Sequence, residues 1–237
     1  MKTFVEYPDI LHADRQLAFT ETFLTIGTSS RGVITAAGTA TGLNVNGGGI
    51  AIPTAAATDN SKSGWKPIGN IVTLGAGKTA WMGAKLQYTE ANTNSANLLV
   101  GFISTVIGSA LQNDGAGPPS SYSGAVFFKT DGGSANWSVE VSLAGTQSTT
   151  ELSASNTIDK LAKPAAGSAY QYLEVLIMPK NATYADVIFK IDGVTVFKVM
   201  DWVITSVAAM SPIAMIMSGS TTPETINLRR VDFAQVI

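Results

Sequence analysis

The chain has 237 residues, 15 Lys+Arg against 17 Asp+Glu for a net charge of −2, one His and no Cys. That leaves no disulfide framework, zinc finger or thiol nucleophile, and the near-neutral balance argues against the basic stripe that displaces counterions from nucleic acid. Charged residues make up 14%, against roughly 25% in an ordinary soluble domain, and Gly, Ser and Thr take their place, as in turn-rich β proteins.

In chain order, residues 1–17 read as an N-terminal arm or a short helix with Pro8 near its start. Residues 1–14 mix Lys2 with Glu6, Asp9 and Asp14 and lack the apolar stretch of a secretory signal. A stretch rich in Gly, Thr and Ala covers 25–49. Strands are expected over 49–53, 70–74, 79–88, 97–106 and 124–129. Over 136–143, Trp137, Val139, Val141 and Leu143 alternate with Ser138, Glu140 and Ser142, the period of a half-buried antiparallel strand. Over 171–178 both parities are largely apolar, which predicts a central strand.

Val187, Phe189 and Ile191 lead into Asp192-Gly193, and Val194 and Val196 lead out. An Asp-Gly pair between β-branched runs signals a hairpin, because both turn positions take positive φ. A turn or two of helix is expected over 204–210, then strands over 212–217 and 225–236. The last needs a bulge near Arg229-Arg230, where the apolar parity switches. The most apolar window, 202–217, is broken by Thr205, Ser206, Ser211 and Pro212 and falls short of the roughly 20 residues a membrane span requires. The expectation is a soluble chain with no membrane partner, made in a cytoplasm. About a dozen short strands without helical partners predict an all-β antiparallel sandwich, one domain over 18–237.

Motifs of catalysis are scarce. Residues 74–79 end like a phosphate-binding loop, but Val72 stands where the motif requires its first Gly, and a strand pattern follows instead of a helix. His12 is the sole imidazole, which starves a Ser–His–Asp triad and His-based metal sites alike. Glu140 and Glu174 each stand alone on a strand, whereas glycoside hydrolysis needs two carboxylates flanking one cleft. Asp59-Asn60, Asn113-Asp114 and Asp131-Gly132-Gly133 are oxygen-rich, a pattern calcium uses, but each reads first as a turn former. Of the four tryptophans, Trp81 and Trp137 lie on patterned strands and read as core. Trp65, among Lys62, Ser63, Gly64 and Lys66, is the candidate exposed aromatic contact. No catalytic, cofactor-binding or metal residue is assigned.

Several pieces, in order, resemble one known group. They are "GKTAWMGAKLQY", "LLVGFIST", "SGAVFFKTDGGSANWSVEV", "YLEVLIMP", "DVIFKIDGVTVFKV", "MSPIAMIMSG" and "INLRRVDFAQV", preceded by "NGGGIAIPTAAATDNS". Together they are similar to the concanavalin-like (lectin/glucanase-type) jelly-roll domain that serves as a virion structural protein in many tailed bacteriophages. The resemblance implies a jelly roll of two facing sheets in a non-enzymatic capsid decoration or cement protein, made in the bacterial host and carried on the outer capsid surface. Its partners would be the major capsid protein of the same phage and further copies of itself, a trimer first. Phe4, Tyr7, Ile10 and Leu11 are then the capsid-contact candidates. The alternative is a lectin-like carbohydrate-binding module for attachment to host-surface glycans. The acidic pair of the related glucanases is missing here, which counts against their activity.

Overall fold

The computed structural model describes every residue except 1–15, 22–31, 44–47, 166, 168 and 237. In chain order the strands are β1 (Gln16–Glu21), β2 (Gly32–Thr35), β3 (Thr41–Gly42), β4 (Ile50–Pro53), β5 (Lys62–Pro67), β6 (Ala80–Thr89), β7 (Ala96–Ile103) and β8 (Gly124–Lys129). They continue with β9 (Ser138–Leu143), β10 (Thr146–Glu151), β11 (Gln171–Pro179), β12 (Tyr184–Ile191), β13 (Val194–Val203), β14 (Ser211–Ser218) and β15 (Thr225–Val236). Among the described residues the helical content is one 3-10 turn, Ile107–Ser109, and no helix is long and apolar enough to cross a membrane.

The strands form two antiparallel sheets. Sheet A runs β13-β12-β11-β6-β15-β4-β3 with β1 on β15, and sheet B runs β10-β9-β8-β7-β14-β5-β2. Consecutive strands often lie in different sheets, so the chain crosses the sandwich repeatedly and each sheet depends on the other for its inner face. That face is one apolar core. Phe127 meets Phe189 edge-on at 5.2 Å, and Phe102 meets Phe233 at 6.3 Å, geometries that add to simple burial for aromatic pairs.

The patterned strands fall where alternation and turn chemistry put them. β11 sits between β6 and β12, deep in sheet A. Asp192 and Gly193 take φ of 51° and 82° at the tip of the β12–β13 hairpin. The β15–β6 register shifts between Leu228 and Arg230, the bulge required by the change of parity.

Other expectations need correction. Residues 70–74 form no strand; Val72 makes a single bridge to Met210. Over 204–210 there is a turn, closed by the Val207 N–H to the Ile204 carbonyl, and no helix. The short helix expected near Pro8 lies outside the described residues except for Gln16 and Leu17, which are strand and pair with β15. β1, β2, β3, β5 and β10 appear where no strand was expected.

Candidate functional site

The site begins with the β7–β8 connection. Residues 104–123 do not loop into solvent but lie as a strap across the outer face of sheet B. Ile107, Ala110, Leu111 and Tyr122 from the strap bury Leu99, Ile103, Val126, Phe128, Ile213, Met215 and Met217 from β7, β8 and β14. This second apolar layer explains why β7, β8 and β14 are buried at every position, a pattern that alternation alone does not produce.

Polar ties fix the strap along its length. The Tyr122 hydroxyl donates to Glu140 Oε1 at 2.8 Å, Gln147 Nε2 donates to the same oxygen at 2.7 Å, and the Thr149 hydroxyl donates to Glu140 Oε2. Glu140 is therefore a buried, fully engaged acceptor, and burial with this carboxylate alongside holds the Tyr122 phenol well above its usual range. Asn60 and Asp114 exchange two bonds, Asn60 Nδ2 to Asp114 Oδ1 at 2.9 Å and the Asp114 N–H to Asn60 Oδ1 at 2.8 Å. Lys62 Nζ donates to the Gly108 carbonyl at 3.1 Å.

The strap stops short of the sheet edge. Beyond Val106–Gly108 the outer face of β5 and β2 lies open as a trough of about 300 Å³. Val33 and Lys66 face each other across the β2–β5 pair, as do Thr35 and Gly64. Val33, Thr35 and Lys66 line the trough, the strap's Val106–Gly108 stretch forms one wall, and Pro67, Ile68 and Gly69 form another. Ile68 is 76% exposed and Val106 61%. Among the described residues the Lys66 ammonium reaches only Asn70 Oδ1, at 3.4 Å, and burial lowers the pKa of both Lys62 and Lys66.

Trp65 corrects a reading made from its polar neighbours. Its indole is fully buried, because on β5 it points inward while Lys62, Gly64 and Lys66 share the outward parity. It packs edge-on against Phe19 at 6.1 Å, and Gly32 makes room: a Cβ there would fall 2.5 Å from the indole nitrogen. Trp137 is core as expected, against Phe127. Trp81 is buried on the opposite, outer face of sheet A, with Leu176 and Ala234. Phe4, Tyr7, Ile10 and Leu11 lie outside the described residues. The trough itself carried little sequence signal, because Val33, Lys66 and Val106 come from three separate segments that only the fold brings together.

The three oxygen-rich turns converge at one end of the sandwich and bond to protein. Asn60 and Asp114 engage each other, and the Asp131 N–H donates to Asn97 Oδ1 at 2.8 Å. Beside them the buried Lys129 ammonium pairs with Glu90 at 2.6 Å and donates to the Ala96 carbonyl at 3.0 Å. Among the described residues no three His, Asp or Glu side chains gather as metal ligands.

No protein-family model matches the chain, and no curated protein matches its sequence. Solved structures do match in shape. The carbohydrate recognition domain of Emp47p superposes with a TM-score of 0.60 at 10% identity, over 94% of this chain and 98% of that one. An endo-β-1,4-glucuronan lyase from Trichoderma reesei gives 0.55 at 12%, over 91% and 94%. Peanut lectin gives 0.52 at 14%, over 93% and 97%. The fold is a concanavalin-like, lectin-type jelly roll. Most of these neighbours are lectin domains, and the lyase shares the architecture.

Proposed function

We propose that this chain is a non-catalytic carbohydrate-binding module whose binding site is the trough between the strap and the β2–β5 edge. The observation that carries the reading is the trough: an open apolar depression with a lysine at its rim, on a sandwich shaped throughout like carbohydrate recognition domains. Saccharide sites combine an apolar surface for the ring with a few placed polar groups, and here a rigid sheet and a tied-down strap supply both. Glu140 does not act as half of a catalytic pair: three donors already occupy it beneath the strap. Saccharide-array binding by the purified chain tests the proposal. Binding that weakens in a Val33→Asp variant of unchanged melting temperature supports it, and silence across the array refutes it.

Display of the module on a phage particle, with the major capsid protein as partner, is a second proposal supported by the sequence resemblance. Mass-spectrometric copy counting on purified particles tests it, and absence from the particles would refute it.

A further inference from the structure

The trough has a charge character that narrows its ligand, provided it is the saccharide site. Val33, 46% exposed, joins Ile68 and Val106, so three large apolar side chains open to solvent line one depression. Among the described residues that line it, the only charged side chain is Lys66. Four residues before it, on the same outward face of β5, Lys62 approaches the same strap segment through Gly108. Among the described residues neither lysine forms an ion pair.

Elsewhere buried Lys129 has Glu90 and half-buried Arg230 has Asp232, whereas the Arg229 guanidinium lies over the Tyr170 ring and its Nε has no hydrogen-bond partner among the described residues. Among the described residues Lys62 and Lys66 are partly desolvated ammonium groups with only neutral oxygens in contact, Gly108 O and, at a long 3.4 Å, Asn70 Oδ1. Partial burial without a counter-charge disfavours an ammonium, and an anion seated beside it reverses that.

We propose that the trough binds acidic saccharides of the uronic-acid type, with the sugar carboxylate on Lys66 Nζ and the apolar ring face against Val33, Ile68 and Val106. A uronic acid fits both features: its carboxylate projects from the ring edge and leaves a C–H face free for aliphatic contact. About 300 Å³ lies at the lower end of ligand clefts, roughly 300 to 1,000 Å³, the scale of a short stretch of chain. Lys62 adds long-range attraction that salt screens.

The test titrates the whole chain with oligouronates, with the same oligouronates as methyl esters, with neutral oligoglucose of matched length, and with a sulfated oligosaccharide. The expected result is binding of the free acids, at least tenfold weaker binding of the esters and the neutral chain, and weakening between 50 and 500 mM salt. Lys66→Gln should lose about tenfold or more, in line with a hydrogen bond to a charged group. Lys66→Arg should keep most of the affinity, and Lys85→Gln, on the exposed outer face of sheet A, should change nothing. Melting temperatures of all variants establish that they are folded. Equal binding of esters and acids, or preference for the sulfated chain, overturns this inference while leaving the saccharide reading intact. Full affinity in Lys66→Gln overturns the carboxylate contact, and failure of every saccharide to bind overturns both proposals together.

Discussion

Lys129 stands at the end of β8 with 2% of its side chain exposed, and its ammonium holds both ends of the β6–β7 connection, through Glu90 and the Ala96 carbonyl. Glu90 pairs with it and also accepts the backbone N–H groups of Asn94 and Ala96. Removing one partner of such a pair strands the other charge, so Lys129→Met should lower stability by about 3 kcal/mol. The double variant Lys129→Met with Glu90→Gln should recover part of that loss, as chemical denaturation can show. Glu224 lies in the same cluster, fully buried, with Ser95 donating to its Oε1. Burial, reinforced by Glu90, raises its pKa above the usual 4.5. The native chain then holds this proton to higher pH than the unfolded chain. The associated stability is present below the ordinary glutamate value and is lost as pH rises through the raised one. Melting temperature should therefore fall less steeply above pH 4.5 in Glu224→Gln than in the parent.

Residue-scale readings failed where environment, not residue type, decides. Trp65 sits among polar neighbours in the sequence, yet strand parity turns it inward while the lysines point out. Glu140 alternates like a solvent-facing residue, yet the strap encloses it. Neither outcome is written in the local pattern, because both depend on contacts with segments tens of residues away.

At the scale of elements, legibility follows turn chemistry and apolar periodicity. The β12–β13 hairpin was readable because Asp192-Gly193 satisfies a two-residue turn between alternating strands. Gly193→Val should be strongly destabilising there, since φ is 82° and a β-branched side chain resists the left-handed region. β10, Thr-Gln-Ser-Thr-Thr-Glu, has no apolar residue to show a period; it is an edge strand defined by its pairing with β9, and its polar character blunts an otherwise open edge. The strap was the element least visible from sequence, because its Gly, Ser and Pro content reads as loop while its few apolar residues close a layer. Tyr122→Phe removes one of three donors to buried Glu140 and should cost about 1 to 3 kcal/mol. Hydrogen exchange should then quicken in 104–123 while the inner strands stay protected.

For the whole molecule, the two sheets share one core and neither keeps an apolar inner face covered without the other. One cooperative calorimetric transition is expected, and two separated peaks would contradict a single domain. The jelly-roll architecture was legible from strand count, turn signals and the order of the resembling pieces. The trough was not, since it arises from where a strap ends relative to a sheet edge. The measurement that bears most directly on the central claim is NMR chemical-shift mapping of the labelled chain titrated with an oligouronate. Shifts centred on Val33, Lys66, Ile68 and Val106 are predicted. Perturbations confined to the Asn60–Asp114 end, or none at saturating ligand, would contradict the assignment of the trough as the binding site.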